Sequence, residues 1–167
     1  MTPDLLDPFR HNTWANQELL GFCRDLSDDE LAASVPGTFG SIVATFNHIL
    51  DSEASYHFRL TERRPTWDWR TDDTAEVAVL EARAEEMAAL WDDLLRNVLD
   101  VDRTVTIHRD RVSVVPVGVI LTQTLNHGNE HRAHICTILG ATGREPPELG
   151  GWDYGFASGR AMWLPTE

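Results

Sequence analysis

The chain has 167 residues, with 14 basic against 27 acidic side chains for a net charge of −13, and every basic residue is arginine. This length suits one domain, residues 1–167, with a core that needs no disulfides, and the two cysteines, Cys23 and Cys136, are too few for a disulfide framework. An acidic surface repels phosphate backbones and anionic membranes, so neither nucleic acid nor membrane is expected as a partner, and the absence of lysine excludes Schiff-base or lysine-nucleophile chemistry.

No apolar run is long enough to cross a bilayer, and the start, MTPDLLDPFR, has acids and prolines where a signal peptide has a basic then an apolar region. A cytoplasmic protein is expected. Leu5, Leu6, Phe9, Leu19, Leu20, Cys23 and Leu26 recur at helical spacing and predict a first helix over about 4–25. A loop with Pro36-Gly37 follows. Ser41 then caps a second helix, whose apolar positions are Ile42, Val43, Phe46, Ile49, Leu50 and Phe58 and which ends near Arg63-Arg64-Pro65. After a polar loop with Trp67 and Trp69, Asp73 and Glu76 have capping-box spacing for a third helix through Val77, Leu80, Met87, Leu90, Trp91, Leu94, Leu95 and Val98.

Residues 101–115 are different in kind. Val101, Thr104, Thr106, Val112 and Val114 are β-branched and partly alternate around Arg109-Asp110, which predicts a short hairpin or extended crossover. Pro116 suits the first turn of a fourth helix, which runs to Gly140-Ala141-Thr142-Gly143. The tail is irregular, with one turn of helix expected around 153–159. The fold class is all-α: a four-helix bundle with an extended crossover before its last long helix.

The chemistry lies in the histidines. His127, His131 and His134 share one stripe of the fourth helix, since positions four apart differ by about 40° and seven apart by about 20°. His127 and His131 stand about 6 Å apart at their side-chain bases, close enough to converge on one ion. His134 is about 10 Å along the axis from His127, so a third ligand should come from another helix. His48, in the apolar FNHIL stretch, is the natural supplier, because a histidine inside a bundle needs a hydrogen-bond partner or a metal. A bundle whose histidines are merely hydrogen-bonded core residues is the alternative reading.

The remaining candidates are weaker. His11, His57 and His108 suit surface or capping roles, with His57 on the opposite side of its helix from His48. Cys136 points away from His127 and reads as a core cysteine. Gly128 costs about 1 kcal/mol within a helix, which close backbone approach or ligand access would explain. Asn47 and Asn126 suit structural roles, Glu130 a solvated face, and Trp14, Trp152 and Tyr154 packing. No residue is assigned as catalytic.

GSIVATFNHILDSEASYHF, LNHGNEHRAHICTILGATGREPP and the early HNTWANQELL resemble the DinB/YfiT-like family of damage-inducible metal-binding bundles. The resemblance covers nearly the whole chain. It implies up-down-down-up topology and a divalent metal held by His48, His127 and His131. It also implies a homodimer, and thiol-dependent transferase or isomerase activity with a low-molecular-weight thiol cosubstrate and a small electrophilic substrate. Relatives commonly read His-Arg-Gly-Gln where this chain has His131-Arg132-Ala133-His134, so His134 stands as either a replacement for His131 or its support. Three nitrogen ligands leave a coordination position open, as in catalytic sites, and favour zinc, nickel or iron, with zinc slightly preferred. The functions in view are a low-molecular-weight-thiol S-transferase, a related isomerase or hydrolase, and, as the alternative, a non-catalytic metal-binding stress-response protein.

Overall fold

A computed structural model describes residues 3–97, 99–108 and 110–164, with side chains from residue 6; the pattern positions Leu5, Val98 and Arg109 lie outside the described residues or side chains. The long helices are α1 (Pro3–Cys23), α3 (Ile42–Thr61), α4 (Val77–Arg96) and α5 (Val117–Ala141). Between α1 and α3 lies a short α2 (Asp28–Leu31), in what the pattern reads as loop. Its cause is local: Ser27 and Glu30 form a complete capping box. A hairpin of β1 (Thr104–His108) and β2 (Val112–Pro116) precedes α5, pairing Thr106 with Val114, and α6 (Gly151–Ala157) lies in the tail.

Helix directions follow from the contacts. Arg10 pairs with Asp92 and Arg24 with Glu81, so α1 and α4 run antiparallel. His48 meets His131 while Tyr56 meets His127, so α3 and α5 are also antiparallel. Asn47 bonds Arg83 and Glu53 bonds Trp91, which makes α3 and α4 parallel. The resulting order is up-down-down-up, with α1 against α4 and α5, and α3 against the same two helices across the bundle. A parallel α3–α4 pair requires a return along a helix about 30 Å long, and residues 62–76 can span up to about 50 Å.

Several predicted boundaries move. Ser41 caps α3 as expected, its hydroxyl accepting from Ala44 N–H. Asp73 and Glu76 do not form a capping box: Glu76 is itself the cap residue of α4 and makes no side-chain cap bond. Thr74 organises that entry instead, because its backbone is held on both sides by the Asn47 carboxamide and its hydroxyl accepts from Glu76 N–H. Pro116 closes β2 and caps α5 from just outside the first turn.

The core falls into two apolar halves. One gathers Leu19, Leu20, Phe46, Ile49, Ile135 and Ile138; the other gathers Phe9, Ala54, Met87, Trp91, Val117 and Leu121. Between them lies a buried polar layer that the apolar pattern does not announce. Glu53 Oε1 accepts from Asn12 and Asn16 at 2.8 and 3.0 Å, and Glu53 Oε2 accepts from Trp91 Nε1 at 3.2 Å. The two asparagine oxygens in turn accept from Arg132 Nη1, each at 2.8 Å. All four long helices therefore meet in one network, and buried charge is tolerable because each partner is hydrogen-bonded. Burial pushes the Glu53 carboxyl up, against the three N–H donors and the Arg132 charge, while burial lowers Arg132 to about 10.

Gly128 belongs to this layer. A Cβ there would sit 2.6 Å from Asn12 Oδ1 and 3.0 Å from Arg132 Nη1, so the glycine admits the polar network of α1 to the surface of α5. Its reason is close approach between helices.

Candidate metal centre

The antiparallel pair of α3 and α5 brings His48, His127 and His131 together. One nitrogen from each lies within 4.8 Å of the others, and among the described residues no further His, Cys, Asp or Glu joins the group. His48 Nε2 and His127 Nε2 stand 3.0 Å apart, while the rings of His127 and His131 are 4.3 Å apart, as four-residue spacing on one helix requires. Two nitrogens bound tetrahedrally at about 2.0–2.1 Å would be about 3.3 Å apart, so small side-chain rotations admit an ion.

Electrostatics favours the same use. Burial holds all three imidazoles below the usual histidine range; the charges of His131 and His48 act on His127 as well, lowering it to about 4. Neutral rings near pH 7 present lone pairs, which a cation can accept and a neighbouring neutral histidine can share only in part. His131 Nδ1 is sealed from solvent without a hydrogen-bond partner. The donor set thus fits a divalent ion with affinity for nitrogen.

His134 flanks the cluster with its ring 5.2 Å from that of His131, and its Nδ1 is also sealed without a partner. It does not share the convergent position. Phe39 does border it, from the loop before α3: the ring stacks on His48 at 4.0 Å and meets His131 edge-on at 5.1 Å. Tyr56 lies on the other side, edge-on to His127 at 6.0 Å.

Other sequence candidates fall elsewhere. His57 is a correction to the expected surface or capping role, for it is 1% exposed. The side of α3 opposite His48 faces the bundle centre, where the His57 ring lies edge-on to Trp91 at 5.2 Å. His11 is likewise more than a surface group: its Nε2 meets the Leu149 carbonyl at 2.8 Å, and with Trp14 and Tyr154 it clasps the tail. His108 is exposed at the end of β1, as expected, and Trp152 is 81% exposed. Asn126 and Glu130 are exposed, whereas Asn47 is structural.

Both cysteines are free, and burial raises both thiols, Cys23 to about 12. Neither is set up as a thiolate nucleophile.

Sequence reasoning gave no role to Glu53, Asn12, Asn16, Arg132, Phe39 or Tyr56. For Glu53 a signal existed, because it sits on the apolar stripe Phe46, Ile49, Leu50, Ala54, Leu60. Phe39 lies in a loop, where periodicity carries no information.

With this geometry in view, comparison with known proteins is decisive about kinship. The DinB family model matches residues 1–161. The chain belongs to the DinB family. Among curated proteins none matches. A DinB-like protein from Bacillus cereus ATCC 10987 superposes with a TM-score of 0.67 at 14% identity, covering 86% of this chain and 94% of its own. YfiT from Bacillus subtilis superposes with a TM-score of 0.67 at 20% identity, covering 87% of this chain and 91% of its own. YfiT is described as a probable metal-dependent hydrolase with an unusual four-helix bundle topology. At these identities the likeness establishes the fold, and the up-down-down-up order derived above is that of a DinB-family bundle.

Proposed function

We propose that this DinB-family chain binds one divalent metal ion on His48, His127 and His131 and is a metal-dependent enzyme transferring a low-molecular-weight thiol to a small electrophile. The observation that carries the metal assignment is the convergence of three neutral ring nitrogens within 4.8 Å between α3 and α5. Three protein ligands leave a coordination position for an exchangeable group, as in catalytic rather than structural sites. A bound ion would supply Lewis acidity, lowering the pKa of a thiol or water held at that position. The chain's own part is to hold the imidazoles neutral, to border the position with Phe39 and Tyr56, and to leave the nucleophile to a cosubstrate. Support for a thiol cosubstrate comes from the two protein thiols, which burial keeps protonated. Hydrolysis, the activity ascribed to YfiT, would use the same position for water.

Protein purified without chelator or histidine tag should contain one equivalent of zinc, nickel or iron. The double variant His48→Ala, His131→Ala should contain none, and unchanged stoichiometry would overturn the site. Metal-loaded protein offered glutathione, mycothiol or bacillithiol with electrophiles should consume thiol and electrophile together. Consumption of the electrophile without thiol would make it a hydrolase, and no metal-dependent turnover would leave the binding protein.

A further inference from the structure

His48 is the member of the histidine cluster that its own helix leaves unpaired. His127 and His131 share α5, where four-residue spacing sets the two rings 4.3 Å apart. His48 comes alone from α3 and reaches them through Nε2, which stands 3.0 Å from His127 Nε2. A ligand imidazole is ordinarily aimed by a carboxylate or carbonyl bonded to its second nitrogen. Among the described residues no protein group hydrogen-bonds His48 Nδ1. Something else must fix the rotation of this ring.

Phe39 is placed to do so. Its ring lies face to face on His48, with centroids 4.0 Å apart and planes 12° from parallel, and it meets His131 edge-on at 5.1 Å. Among the described residues it touches no other ring. It joins neither apolar half of the core and is 48% exposed. The covered part of this side chain is thus given to two imidazoles rather than to packing.

The loop that carries Phe39 is itself anchored. Val35 packs against the apolar half around Leu19 and Phe46, and its carbonyl accepts from the Thr38 hydroxyl at 2.8 Å and the Thr38 N–H at 3.2 Å. Gly37 closes this turn at φ +91°, a conformation that L side chains rarely adopt. Two residues beyond Phe39, Ser41 caps α3. His48 lies seven residues past that cap, about 10 Å along the axis, so the loop runs back beside α3 to bring the ring there.

We propose that Phe39 is the positioning residue of the metal centre: stacked on His48, it holds that imidazole at the angle where Nε2 converges with the nitrogens of α5. This rests on the metal reading above. A flat ring lying on a flat ring restrains rotation of the imidazole, because turning it gives up face-to-face contact. A ligand already held at its binding angle loses less freedom when the ion arrives, and the restraint therefore appears as affinity.

Cobalt(II) reads both quantities, affinity by competition with a chelator and ligand geometry by its visible d–d absorption. Phe39→Ala and Phe39→Leu should each bind cobalt about three- to tenfold more weakly than the unaltered protein, the range expected for losing one aromatic pair, and should alter the d–d spectrum. Phe39→Tyr keeps the ring and should retain both. In metal-free protein, NMR should find the His48 ring protons displaced upfield by the Phe39 ring current, a displacement reduced in Phe39→Leu and kept in Phe39→Tyr. Unchanged affinity and spectrum in Phe39→Ala, or values restored by leucine as fully as by tyrosine, would overturn the positioning role alone. So would unfolding of Phe39→Leu, which would make Phe39 a packing residue. Failure of the unaltered protein to take up cobalt would overturn the metal reading and this one with it.

Discussion

Two polar clusters lie at about the same level of the bundle, and α5 contributes adjacent residues to them: Arg132 to one, His131 to the other. In the layer around Glu53, Arg132 and two asparagines, the bonds close on one another, each donor aimed at an acceptor inside the protein. In the histidine cluster they do not, since three neutral rings crowd together with His131 Nδ1 sealed and unpartnered. Adjacent positions differ by about 100° around a helix, so Arg132 faces α1 while His131 faces α3. A self-satisfied polar group in a core secures register and packing, whereas an under-satisfied one retains capacity for a ligand.

The largest effect expected from breaking this contrast is on the satisfied side. Glu53→Leu leaves Arg132 buried without its counter-charge and should lower unfolding free energy by about 3–5 kcal/mol in urea titrations. A change below about 1 kcal/mol would mean that the layer is not a structural keystone.

The histidine cluster should behave oppositely. Zinc at a hundred to a thousand times its dissociation constant should stabilise the protein by about 3–4 kcal/mol. His48→Ala with His131→Ala should erase that gain while changing metal-free stability less than Glu53→Leu does. Thermal melts with and without chelator measure both quantities.

Gly128→Ala tests the contact between α1 and α5. The added methyl would displace the Asn12 carboxamide from Arg132 and should cost about 1–3 kcal/mol, with metal stoichiometry preserved. Loss of metal with no loss of stability would place the glycine in the metal site after all.

The smallest effect concerns Asp51, near but outside both clusters. Burial and the charge of Asp73 raise its carboxyl to about 7, with Arg83 opposing and Asp72 adding. A raised carboxyl keeps its proton in the folded state, so its contribution to stability falls as pH rises from near 3.8 through about 7. Asp51→Asn should therefore raise the melting temperature above neutral pH and hardly alter it near pH 4. With the group partly exposed to solvent, the gain should stay under about 1 kcal/mol. A gain confined to acidic pH would contradict the assignment.

The sequence by itself determined the four long helices, the hairpin and the His127–His131 pair, because periodicity is a local property and four-residue spacing fixes neighbours on a helix. Burial logic and motif likeness together supplied His48 in advance, and motif likeness the topology. Local patterns had no means of predicting the polar layer, since Asn12, Asn16, Glu53 and Arg132 come from three helices and none carries a signal naming its partner. His57 shows the same limit: helical geometry places it opposite His48, yet which side is solvent and which is core depends on where α4 packs. The tertiary structure alone decided that, and with it the difference between a histidine that fills the core and three that converge. The physical reason is range: chain geometry acts over a turn or two, while the satisfaction of a buried polar atom depends on whatever helix is packed against it.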